Sequence, residues 1–101
     1  MAEGSVSRTV VVSNPQGLHA RPADLFVKLA SRYSSTIAVI KDGERVDGKS
    51  ILAILTLAAT PGTQLEIEAT GPDADVAASA LVELVLRNFD DYNSENSGSL
   101  E

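Results

Sequence analysis

The chain has 101 residues, 44% hydrophobic and 22% charged, with a formal net charge of −6, which suits one domain with one modest core. It holds no cysteine and one histidine, which excludes disulfides, thiolate catalysis, structural zinc and histidine-rich metal sites. The acidic balance speaks against nucleic acid, which needs clustered Lys and Arg, and for a basic partner surface.

No spaced acidic loop of the EF-hand kind is present. No apolar run reaches membrane-spanning length, and Met1-Ala2-Glu3-Gly4-Ser5 does not read as a signal peptide, so a cytoplasmic location with no membrane partner is expected. The aromatic residues are Phe26, Tyr33, Phe89 and Tyr92; the core is therefore expected to be mostly aliphatic.

Val6 to Val12 is rich in β-branched residues and predicts a strand, ended by the turn cluster Ser13-Asn14-Pro15-Gln16-Gly17. Helical spacing runs from Ala20 to about Arg32. Ala20, Ala23, Val27 and Ala30 share one face with Phe26 beside them, and Arg21, Asp24, Lys28 and Arg32 share the other. Pro22 falls in the first turn, where a missing N–H costs nothing, so this helix begins at or beside His19. Ser35 to Lys41 predicts a second strand. Asp42-Gly43 is a two-residue hairpin signal, and Glu44 to Asp47 returns as a third strand ending at Gly48.

Ile51 to Leu57 is almost wholly apolar and ambiguous by period alone; Ser50 before it, as an N-cap, favours a short helix. Thr60-Pro61-Gly62 is a turn. Thr63 to Thr70 alternates, with Leu65, Ile67 and Ala69 on one side and Gln64, Glu66, Glu68 and Thr70 on the other, as in a strand with one wet face. After Gly71-Pro72, Asp73 or Asp75 opens a last helix from about Ala74 to Phe89. Its apolar face is Ala77, Ala80, Leu81, Leu84 and Val85, and Glu83 and Arg87 are spaced for an ion pair. Residues 91–101 are polar and expected to form a disordered tail to a single domain, 1–90. The order β-α-β-β-α-β-α predicts an α+β open-faced sandwich: a four-stranded, mostly antiparallel sheet with three helices on one face.

The chemistry concentrates in Asn14 to Ala23. Imidazole, with an ordinary pKa of about 6.5, offers a neutral nucleophile at working pH without a separate base. A phosphoryl group on His19 would add negative charge. A helix start meets that charge with unpaired N–H groups, here those of Ala20 and Arg21, since Pro22 has none. Arg21 adds a permanent charge whose planar fork suits phosphate oxygens. Gly17 lets the preceding loop bend where a side chain would obstruct a partner. The plain alternative is a histidine that only caps the helix or sits on the surface.

Gly17-Leu18-His19-Ala20-Arg21-Pro22-Ala23 resembles, at every position, the motif G-[LI]-H-A-R-P-A of HPr, the histidine phosphocarrier of the bacterial phosphoenolpyruvate:sugar phosphotransferase system. The resemblance extends from about Val6 to Phe89. It implies that His19 takes phosphate on Nδ1 from phosphorylated Enzyme I and passes it to IIA domains of sugar transporters, assisted by Arg21. No cofactor and no metal are expected, and the chain reads as a phosphotransferase-system component rather than an independent enzyme; a carrier that must present one small face is most simply a monomer. A paralogue in a nitrogen-related or carbon-signalling branch shares the same motif, so that reading stays open.

Lys49-Ser50-Ile51 is the second motif. By its residues Ser50 is an N-cap, though no full capping box, because position 53 is Ala. The resemblance adds that a serine here is phosphorylated by HPr kinase/phosphorylase in some bacteria. The partners would then include that kinase and a transcriptional regulator. Gly17, Leu18, Lys49, Leu52 and Leu55 are the candidate docking residues; the plain alternative for the leucines is core.

Overall fold

A computed structural model describes residues 4–89. Within them run β1 (Ser5–Val11), α1 (Ala20–Ala30), β2 (Thr36–Lys41), β3 (Glu44–Asp47), α2 (Ile51–Thr56), β4 (Gln64–Thr70) and α3 (Ala74–Leu86). The expected tail, 91–101, lies outside the described residues.

Alternation makes the sheet. The four strands lie in the order β1-β4-β2-β3, every neighbouring pair antiparallel. Val10, Ile37, Val39, Leu65, Ile67 and Ala69 turn inward and are buried. Ser7, Thr9, Gln64, Glu66 and Thr36 face water. β1 and β2 run parallel to each other with β4 inserted between them, a split β-α-β arrangement. The Asp42-Gly43 turn places both central residues in the left-handed region, φ 52° and 84°, as the favoured two-residue hairpin turn requires.

The helices cover the inner face. α3 packs across β1 and β4, and α1 packs against α2 and α3. Ala74, Ala77 and Ala78 are buried with Leu81, Leu84 and Val85; the small residues let α3 lie close to the sheet. Full burial of a side chain such as Leu81 is worth roughly 1.5–3 kcal/mol. The helix stops at Leu86, short of the expected Phe89. Asn88 N–H bonds to the Val85 carbonyl and Phe89 N–H to that of Leu84, each at 2.9 Å. With Asn88 at φ 58°, this is the Schellman arrangement, with Asn in the left-handed C′ position. Phe89 then folds back into the core.

Two local expectations are corrected. Ala20, assigned to the apolar face of α1, is exposed at the first helical position; the buried face runs through Pro22, Ala23, Leu25 and Phe26 instead. Ala80 is only half-buried on α3. Asp73 occupies the N-cap of α3, as expected, though its side chain makes no cap bond. Its carboxylate instead accepts the Ser34 and Ser35 N–H groups, each at 2.9 Å, and the Ser35 hydroxyl. It thus ties the α1–β2 turn to the start of α3. The ion pairs Arg8–Asp75, Lys28–Asp24, Arg45–Glu68 and Arg87–Glu83 are surface features worth little individually.

The Ser35 hydroxyl first, then the Ser34 N–H, hold the Asp73 carboxyl below its ordinary 3.8, against partial desolvation. A depressed carboxyl pKa contributes stability above its unfolded value and loses it as pH falls through the folded value. Asp73→Asn is expected to lower the urea midpoint at neutral pH. Its deficit should shrink below about pH 4, followed as paired denaturation curves across pH.

Candidate functional site

α1 begins where helical spacing begins, and His19 is its N-cap, with φ −83° and ψ −171°. Its carbonyl accepts the Ala23 N–H at 2.9 Å. Its side chain makes no capping bond and is exposed, so the imidazole is not consumed by the helix. The N–H groups of Ala20 and Arg21 precede the first intrahelical donor, the Ala23 N–H, and Pro22 has none. Two backbone donors therefore follow His19 directly in the chain, at the positive end of the helix dipole.

The loop before His19 is held from both sides. Val12 N–H bonds to the Thr63 carbonyl at 2.8 Å and Gly62 N–H to the Val12 carbonyl at 2.6 Å, prolonging the β1–β4 pairing. Gly17 N–H closes a turn on the Asn14 carbonyl at 3.1 Å, and Leu18 N–H bonds to the Ala59 carbonyl at 2.9 Å. Gly17 takes φ +64°, and a Cβ there would stand 2.4 Å from the Ala59 oxygen. Ala58, next to that acceptor, also lies in the left-handed region at φ 50°, at a cost of about 1–2 kcal/mol for a residue with a Cβ.

His19 lines a cleft of about 550 Å³ with Pro15, Gln16, Leu18, Ala20, Leu55, Ala58, Ala59, Thr60 and Pro61. Arg21 is exposed but borders a neighbouring cleft of about 250 Å³ with Asn14, Pro15, Gln16, Pro22, Leu25, Asn88 and Phe89. The two side chains therefore flank the helix start from adjoining depressions that share Pro15 and Gln16.

The docking residues divide. Leu52 is 76% exposed; Leu55 is half-buried and lines the histidine's cleft. Gly17 and Leu18, the other apolar candidates, are buried, and Leu18 also lines the histidine's cleft. Gly17 allows the close approach of the Ala59 backbone, and Leu18 packs in the core. Lys49 donates through Nζ to the Tyr33 carbonyl at 2.7 Å, so its ammonium already braces the turn between α1 and β2. Ser50 caps α2 as expected, its Oγ accepting the Ala53 N–H at 3.2 Å.

One residue of this region escapes sequence reasoning. Asn14 is 3% exposed, and its Nδ2 donates to the Gly17 carbonyl at 2.8 Å. The signal was present: Asn at i, Pro at i+1 and Gly at i+3 is a β-turn pattern.

The family model described as the PTS HPr component phosphorylation site matches residues 6–86. The chain belongs to the HPr family. It is 43% identical over 86 residues to phosphocarrier protein HPr of Treponema pallidum, covering 85% of this chain and 98% of that one. It is 34% identical over 88 residues to phosphocarrier protein NPr of Escherichia coli, covering 86% and 98%. A crystal structure of HPr from Thermoanaerobacter tengcongensis superposes with a TM-score of 0.82 at 42% identity, covering 85% and 97%. Dimers are also known among solved HPr and Crh relatives. The open-faced sandwich described above is thus the HPr fold, and this chain is a phosphocarrier-family component of the phosphotransferase system.

Gly17→Ala combines a positive φ with a backbone collision. It is expected to cost roughly 1–3 kcal/mol, seen as a lower melting temperature with the fold retained.

Proposed function

We propose that this chain accepts a phosphoryl group on His19 from phosphorylated Enzyme I and passes it to IIA domains of sugar transporters. The observation that carries this reading is the exposed, uncapped imidazole at the start of α1, within Gly17-Leu18-His19-Ala20-Arg21-Pro22-Ala23. An imidazole nitrogen, Nδ1 by the family resemblance, forms a bond to phosphorus as the donor's bond breaks. The Ala20 and Arg21 N–H groups and the Arg21 guanidinium then meet the phosphoryl oxygens. The donors are few and at the surface, so the group stays transferable. No described helix is long and apolar enough to cross a membrane. We read the chain as a cytoplasmic monomer of one domain, 1–90, with binding that is transient, since a carrier must leave each partner.

Higher identity to an HPr relative (43%) than to NPr (34%) favours the sugar branch over a nitrogen-related one. Release of the phosphoryl group to a sugar IIA domain, or refusal of it, separates the two.

Incubation with phosphoenolpyruvate and Enzyme I should add one acid-labile phosphate by intact mass, absent in His19→Ala. No uptake beside a labelled control HPr would refute the reading. Arg21→Ala should slow transfer about tenfold to hundredfold, the loss of one charge-assisted hydrogen bond, with the melting temperature unchanged.

We further propose that phosphorylation of Ser50 regulates this transfer, with HPr kinase/phosphorylase and a transcriptional regulator as the added partners. Ser50 opens the helix that carries Leu52 and Leu55, so charge there falls on the proposed docking face. Ser50→Asp keeps a capping side chain, and is expected to slow phosphorylation of His19 without unfolding the chain; an unaltered rate in stopped-flow or quench assays would argue against regulation at this site.

A further inference from the structure

The Gly17–Leu18 peptide is clamped at both ends. Its carbonyl accepts the Asn14 Nδ2 at 2.8 Å, and its N–H donates to the Ala59 carbonyl at 2.9 Å. Leu18, the residue between this peptide and His19, is buried in the core. One rigid peptide plane and one anchored side chain therefore set the position of the His19 backbone.

Asn14 is not explained by packing. Its Oδ1 is buried with no hydrogen-bond partner among the described residues, and an unmet buried acceptor is costly. An apolar side chain of similar size would fill the space without that cost. Turning the amide over would set Oδ1 against the Gly17 carbonyl, acceptor against acceptor, so the donor role fixes its orientation. What Asn supplies and an apolar residue lacks is the second bond to the turn it already closes through its backbone.

We infer that Asn14 is a positioning residue for His19, its buried carboxamide locking the Gly17–Leu18 peptide so that the imidazole is held ready for phosphoryl transfer. Its wider consequence rests on the phosphocarrier reading; the lock itself does not. An oriented nucleophile needs less reorganisation on reaching a partner. Loss of the lock should therefore lower the maximal rate and leave the Michaelis constant for phosphorylated Enzyme I, set by the docking face, almost unchanged.

The test uses Asn14→Leu and Asn14→Asp in the full chain. Leucine removes the donor without adding charge. Aspartate removes it when ionised and restores an O–H donor when protonated. Arg21 is the charged group among the described residues lining this cleft, and it would pair with an ionised Asp. The leucine variant makes no such pair, so its loss reads the lock alone. Expected results are an approximately tenfold fall in maximal rate for Asn14→Leu at all pH values. For Asn14→Asp the same fall is expected at pH 8, recovering relative to the native protein at pH 5.

Amide hydrogen exchange at Leu18, measured without any partner, should quicken about tenfold or more in Asn14→Leu, compared at equal global stability. Native exchange at Leu18 together with native rates would overturn the inference. So would a rate loss that merely tracks the fraction unfolded. If the native chain takes up no phosphate, the phosphocarrier reading fails instead, and exchange at Leu18 still decides whether the lock exists.

Discussion

The Ala59 carbonyl is the point on which the functional face depends. It receives the Leu18 N–H at 2.9 Å and lies so near Gly17 that no Cβ fits between them. This contact joins the loop carrying His19 to the segment between α2 and β4. β4 is a central strand of the sheet, and the Val12 bonds to Gly62 and Thr63 strengthen the same seam. His19 thus projects from an exposed helix start whose foundation is the paired seam of β1 and β4. An accepting group gains from that combination, because exposure admits the partner while the rigid base limits the conformations it must search.

Several features here cost stability. Ala58 holds a left-handed conformation, Asn14 buries an acceptor unmet among the described residues, and Leu52 is exposed on α2. Each lies on or beside the face that bears His19. Elsewhere the sandwich is conventional, with Leu81, Ile67 and Ile37 buried between helices and sheet and Asp73 fastening the α1–β2 turn to α3. The packed layer supports the strained seam, a distribution expected where geometry at a site is held by the surrounding fold.

Patterns within a few residues were readable in advance. The Asp42-Gly43 hairpin, the alternation of β4, the Ser50 cap and the Glu83–Arg87 pair all depend on neighbours three or four positions away, or across one turn. Contacts between residues distant in the chain were not readable. Asp73 opens α3 as its local sequence indicates, but nothing local shows its carboxylate reaching Ser34 and Ser35. Gly17 suits a bending loop, but nothing local shows Ala59 as its neighbour. Ala20 satisfies helical spacing, yet it is exposed while Pro22 and Ala23 of the same turn are buried.

The sequence by itself determined the order of elements and the chemical identity of the site: one imidazole, one arginine and one proline at a helix start. These follow from side-chain type and short-range periodicity, which need no knowledge of the remainder of the chain. The tertiary structure alone decided that Arg21 borders a cleft adjoining that of His19, that Leu18 is an anchor, and that Asn14 turns its amide toward Gly17. Those outcomes depend on β4 entering the sheet beside β1 and carrying Ala59 to the loop. No local preference encodes that meeting of segments some forty residues apart.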